Sequence, residues 1–362
     1  MSQSRHRARP EGACRDRRDR SGRLRQDRRT GALSARQLTA ELEQVFLQQA
    51  DQCERTGSQL YADVCRRLAR EPVVADVVRD DRWDRALQLL GGLHYLALRD
   101  GIDPWGDPAA AVTEHADWLR GFVAEHGIQT NEVQRSWMLL PCFLEIVRRT
   151  GTEILDLIEI GPSAGLNLVW DRYRYRYENG GWGKADAALE LSGEERRPVP
   201  GSLWGFVPWV RRRRGIDLSP LDLTRDEDTL LLKAFVWADQ QHRLERLNRA
   251  VETLRTNPPV LERGDAAERL PELLAERQPG ALTIVVQTAV TGYLGERAER
   301  IVGALEDAAR QFPLAFVWTA RPAPDVHDYW GLWVRIWPEG EPFLIEHAGF
   351  HGQWLEWLGE DE

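Results

Sequence analysis

Between residues 34 and 150 the apolar positions recur at helical spacing. Leu38, Leu42, Val45 and Phe46 make one stripe, Val64 and Leu68 another, and Leu87, Leu90, Leu93 and Leu96 a third. Pro104, Pro108 and Pro141 punctuate this stretch, and nothing in it alternates with the period of a strand. After Glu153 the pattern changes. Ile154–Ile160 is a continuous apolar run with one acid, Glu159, and residues 164–177 are predicted as a helix behind it. Residues 179–213 form an irregular insertion rich in Gly, Pro and Trp, followed by a short strand ending at Asp217. Helices are predicted at 227–255, 266–276 and 296–310, and strands at 260–263, 281–287 and 314–319. Residues 332–337 and 343–347, separated by Pro-Glu-Gly-Glu-Pro, predict an antiparallel hairpin.

Strands alternating with helices imply an α/β fold: a Rossmann-like, doubly wound, mostly parallel sheet with a C-terminal antiparallel hairpin, preceded by an all-helical N-terminal region. The expected divisions are an Arg-rich tail at 1–33, helices at 34–150, the sheet domain at 151–350 and a C-terminal tail at 351–362.

Charge sharpens this picture. The chain carries a net charge of −9, but its first 30 residues hold 11 Arg against 4 acids, so the rest is more acidic still. An acidic body argues against nucleic acid, whose phosphates need a basic face. The longest apolar stretch, residues 282–290, falls well short of the roughly 20 residues that cross a bilayer. Cys14, Cys53, Cys65 and Cys142 form no C-x-x-C pair, so neither a metal knuckle nor a disulfide framework is expected, and a reducing cytoplasm fits. Oligomeric state is not legible here.

Gly161-Pro162-Ser163-Ala164-Gly165 lies between a predicted strand and helix, where α/β proteins place ligands. With Glu159 before it, Gly215-Ile216-Asp217-Leu218-Ser219-Pro220 after it and Gly264-Asp265-Ala266 further on, the chain resembles a class I methyltransferase. The resemblance implies S-adenosylmethionine as cofactor. Glu159 and the Gly161–Ser163–Gly165 loop would hold its methionine end, Asp217 its ribose hydroxyls and Asp265 its adenine edge. Three features depart from that pattern. Ser163 replaces a middle glycine, about 50 residues separate the loop from Asp217, and the fourth strand ends Gln287-Thr288-Ala289-Val290 with no acid. Residues 158–177, Thr130-Asn131-Glu132-Val133-Gln134-Arg135 and Val236-Trp237-Ala238-Asp239-Gln240 also look like a bacterial family of unknown function common in actinobacteria.

The expected partner is a small molecule, with Asn131, Glu132, Arg135, Thr288 and Tyr293 as candidate substrate contacts and no metal. Asp325, His327 and His351 are candidate bases. Gly161-x-Ser163-x-Gly165 is also a nucleophile-elbow pattern, so a serine hydrolase completed by Asp265 or Asp325 with His347 or His351 competes. A ligand-binding protein that kept the fold without the chemistry is a third reading. Simpler roles exist for each residue: Asp217 as a turn former, Asp265 as a helix N-cap, and an i,i+3 ion pair between Glu132 and Arg135. Arg172, Arg174 and Arg176, which alternate with Tyr173, Tyr175 and Tyr177, suit an anionic ligand or equally a strand with one wet face.

Overall fold

The computed structural model describes residues 35–338 and 340–359, so the Arg-rich tail at 1–33 lies outside the described residues. Seven helices come first: α1 (Ala35–Arg55), α2 (Gln59–Leu68), α3 (Pro72–Val78), α4 (Arg85–Asp100), α5 (Pro108–Glu114), α6 (Ala116–Glu125) and α7 (Arg135–Thr150). The stripes seen in the sequence are their buried faces. Leu42, Phe46, Val64, Leu68, Leu90 and Leu93 join one core, together with Trp237 from far along the chain. No described helix is long and apolar enough to cross a membrane.

Helix α7 belongs with the sheet rather than with that core. Trp137, Leu140, Phe143, Leu144 and Val147 pack with Leu155 and Leu157 of strand β1 (Ile154–Ile160) in the largest core cluster. Gly151, at φ +64°, ends α7 and turns the chain back into β1. A 16-residue helix runs roughly 24 Å, and seven strand residues run roughly 23 Å, so Arg135 is brought over the carboxyl tip of β1. Because strand residues alternate faces, Leu155, Leu157 and Glu159 point toward α7. Ile158 and Ile160 join the opposite core, with Leu270 and Leu305.

After β1 the expected long helix at 164–177 does not form. A 3₁₀ helix covers Leu166–Arg172, and β2 (Arg174–Tyr177) follows. The Arg/Tyr alternation has the period of a strand, and here it decides: Tyr173, Tyr175 and Tyr177 are buried while Arg174 and Arg176 are exposed. The tyrosine hydroxyls donate to backbone carbonyls of Leu166, Trp170 and Trp137, so these residues are scaffold. The insertion is ordered too. β3 (Gly180–Trp182) and β4 (Glu190–Ser192) flank β2 in a small sheet, and β5 (Glu194–Arg197) joins an edge of the main one.

The main sheet has nine strands in the order β5-β12-β11-β10-β9-β8-β1-β6-β7. Its parallel part comprises β1, β6 (Trp209–Asp217), β7 (Val260–Arg263), β8 (Leu282–Gln287) and β9 (Leu314–Ala320). Antiparallel β10 (Trp330–Ile336) and β11 (Phe343–Ala348) form the expected hairpin, and Trp354–Trp357, read as a tail, adds β12. The long helix expected at 227–255 is two, α8 (Asp226–Ala234) and α9 (Gln241–Arg255); α10 (Ala266–Ala275), the short α11 (Thr291–Leu294) and α12 (Arg297–Ala309) complete the fold.

Candidate functional site

A cleft of about 1060 Å³ opens over the carboxyl tips of the parallel strands, between them and the N-terminal helices. It reaches the upper end of the roughly 300–1,000 Å³ usual for small-molecule sites. Glu159, Gly161 and Ser163 reach it from the end of β1, Asp217 from β6, Asp265 from β7, and Thr288 and Tyr293 from beyond β8. Asn131, Arg135 and His351 line it as well. Residues predicted from six separate stretches are therefore gathered at one place.

The loop after β1 is tightly built. Gly161 has φ +70°, and a Cβ there would lie 2.6 Å from Val290. Ser163 adopts φ +53°, rare for a residue with a side chain, and Ala289 across the cleft adopts φ +62°. Four amides of this loop and its exit are spent on the protein. Gly161 N donates to Ile216 O, Ser163 N to Asp217 Oδ2, Gly165 N to Pro162 O and Leu166 N to Asn131 Oδ1, each at 2.8–2.9 Å. Such a loop is not a phosphate cradle, which works through free N–H groups.

Several expected roles change. Gly165 does not line the cleft; a side chain there would meet Pro259 at 2.8 Å and Leu261 at 3.3 Å, so its glycine serves packing and a φ of +80°. Asp217 is a brace: its second oxygen accepts from Ser219 N at 2.8 Å, so one carboxylate joins the tips of β1 and β6. Asp265 caps α10 by accepting from Ala267 N at 2.9 Å, and its other oxygen lies 3.5 Å from Arg297. Asn131 and Glu132 precede α7 rather than sharing a turn of it. Glu132 pairs with Arg243, not Arg135: Nε and Nη2 of Arg243 lie 2.7 and 2.6 Å from Oε2. Burial alone would raise the Glu132 carboxyl, but Arg243, His351 and Arg246 outweigh it and hold it at about 2. Asp325 and His327 are exposed and do not line the cleft, and His347 faces Glu356 at 3.1 Å.

Two charges stand apart. Glu159 is 2% exposed, and its Oε2 makes no hydrogen bond, although Asn167 lies close enough to favour its ionised form. Burial raises this carboxyl to about 8 against the pull of Arg135. Arg135 itself makes no ion pair among the described residues. Its Nε donates to Phe350 O at 3.1 Å and its guanidinium lies 5.1 Å from the Trp330 ring. Burial lowers it to about 10.

The sequence offered no signal for Gln129, whose Oε1 accepts the Ser163 hydroxyl at 2.6 Å. It also missed Tyr61, Trp83 and Arg321, which line the cleft without belonging to a motif, and it singled out Trp237 only within a family resemblance.

Fold and site define an α/β protein with a mostly parallel sheet, a helical N-terminal layer and a mixed polar and aromatic cleft at the strand tips. The chain belongs to the bacterial family described as "Uncharacterized protein conserved in bacteria (DUF2332)", which matches residues 43–357. No curated protein matches it.

Proposed function

We propose that the protein is an S-adenosylmethionine-dependent methyltransferase acting on a small molecule in the cytoplasm. One observation carries the reading: an unpaired buried carboxyl and an unpaired buried guanidinium, Glu159 and Arg135, meet at the tip of β1 in one cleft. That pair suits the ammonium and carboxylate of an amino-acid end, and the methionine part of the cofactor carries both. Supporting it, the parallel strands taken in chain order run third, second, first, fourth, fifth across the sheet, the Rossmann-like order. With the amides of Gly161, Ser163, Gly165 and Leu166 engaged by the protein, the loop suits a nucleoside ligand without a pyrophosphate better than a phosphate.

When bound, the cofactor would supply an electrophilic methyl group. The chain's own task is then placement, because methyl transfer depends chiefly on aligning nucleophile and leaving group. Glu159 and Arg135 would orient the amino-acid end. The Asp217 brace keeps the β1 and β6 tips in register, and Asp265 with Arg297 offers hydrogen bonds at the β7 tip. No metal-binding group of three or more His, Cys, Asp or Glu gathers among the described residues.

The hydrolase reading lacks its pairing. Ser163 Oγ donates to Gln129 and hydrogen-bonds to no histidine among the described residues. A ligand-binding protein without catalysis remains the second reading, favoured by the absence of a base hydrogen-bonded into the cleft.

Calorimetry with S-adenosylmethionine and S-adenosylhomocysteine tests the proposal. Both are expected to bind, and Glu159→Gln should weaken them tenfold or more, about 1.4 kcal/mol. Absence of binding at millimolar ligand would overturn the reading, as would labelling of Ser163 by a fluorophosphonate.

A further inference from the structure

The cleft has a second wall that the amino-acid end does not use. Gln49 and Gln52 reach it from α1 at positions i and i+3, and Thr56 from the turn that follows the helix. Opposite them Tyr61 stacks on Trp237, with ring centres 5.9 Å apart and 26° between planes. The His351 ring meets Trp237 edge-on at 6.3 Å. The Tyr61 hydroxyl is buried and makes no hydrogen bond.

Charge on this wall is already balanced. Arg243, which lines it, is held by Glu132. Asp239, behind Tyr61, accepts from the Ser58 hydroxyl and the Leu60 N–H. His351 is kept a neutral imidazole, because burial and the neighbouring Arg243 press its pKa down to about 3. The wall thus offers aromatic faces, neutral amides and hydroxyls, and no free charge. An ionised ligand here would lose hydration without gaining a counter-charge, whereas a flat ring gains stacking.

We infer that this wall is the acceptor subsite and that it takes an uncharged planar ring bearing a hydroxyl or N–H group. The word acceptor rests on the methyl-transfer reading; the ring site itself does not.

Ligand-observed fluorine NMR on the full chain tests this, with 4-fluorophenol, 4-fluorobenzoate and 4-fluorocyclohexanol as probes. Saturable binding of 4-fluorophenol is expected, with the benzoate and the cyclohexanol at least tenfold weaker. Trp237→Leu should weaken the phenol tenfold or more. Gln52→Trp, at an exposed position of α1, should block it with the fold intact, so the test survives if the Trp237 variant misfolds. Equal or tighter benzoate binding overturns the inference, as does phenol binding untouched by Gln52→Trp. Phenol binding without S-adenosylhomocysteine binding would keep the ring site and remove methyl transfer; the reverse would remove the ring site alone.

Discussion

Glu159 and Glu346 are both strand residues, both buried, and both have carboxyl oxygens without hydrogen-bond partners. Their surroundings separate them. Glu346 is 0% exposed in the middle of β11, opposite Leu332 and Trp357 in the neighbouring strands, and burial alone drives its carboxyl far above the usual range. Glu159 ends its strand at a cleft, and Arg135 pulls against its burial. An orphaned acid in a sealed core is a cost with no visible return. The same acid at a strand tip, beside an unpaired guanidinium, has somewhere to place its charge once a cation arrives.

The contrast presumes that the loop beside Glu159 is shaped by packing. Gly165→Val tests that with the largest expected effect. A branched side chain at φ +80°, against Pro259 and Leu261, should cost about 3 kcal/mol in urea unfolding, from backbone strain and overpacking together. Unchanged stability with lost ligand binding would mean that the glycine faces the ligand after all.

Glu346→Met attacks the other half of the comparison. Removing an unsatisfied buried polar group should raise stability by about 2 kcal/mol and leave S-adenosylhomocysteine affinity unchanged. A drop in melting temperature would show that Glu346 has a partner and that the two acids are not opposites.

Asp217→Ala should lower stability by about 1.5 kcal/mol, because two backbone N–H groups lose a charged acceptor. Weaker S-adenosylhomocysteine binding should accompany it. Lost affinity at full stability would instead mean that ribose contact, not bracing, is its role.

The pH dependence tests both acids at once. Both carboxyls have folded pKa values raised above the roughly 4.3 of a free glutamate. Each therefore contributes stability that is complete below that value and lost as pH rises through its folded pKa. Stability should fall from about pH 4.3 up to about 8, where Glu159 ionises in the folded protein, less steeply in Glu346→Met. Ligand binding should run the other way. An ammonium group requires ionised Glu159, so affinity should climb by up to tenfold per pH unit toward 8 and level off above it. A flat profile in the wild type, or an unaltered slope in Glu159→Gln, would break the assignment of Glu159 to a cation.

Much of the sheet was readable because its signals are local. A largely apolar run bounded by turn residues marked β1, β8 and β9, and Gly151 and Asp265 sit where helix ends require them. The errors came where local signals conflict. Residues 172–177 carry a strand's alternation behind a loop that normally opens a helix, and the alternation prevailed. β5 and β12 are too short to announce themselves; β12 pairs with β11 nearby, and β5 exists because it pairs with β12, 157 or more residues on.

The α/β alternation, the helical N-terminal layer and the glycine-rich turn are legible along the chain, since they follow from side-chain period and backbone freedom within a few residues. Which charges are spent depends instead on contacts between distant residues. Glu132 was free to pair with Arg135 three residues away, yet Arg243, 111 residues on, takes it and leaves Arg135 to face Glu159. Asp217 is drawn into the β1 loop by Ser163, 54 residues earlier. Pairing energies depend on distance and burial, and neither is written in the order of residues along a chain.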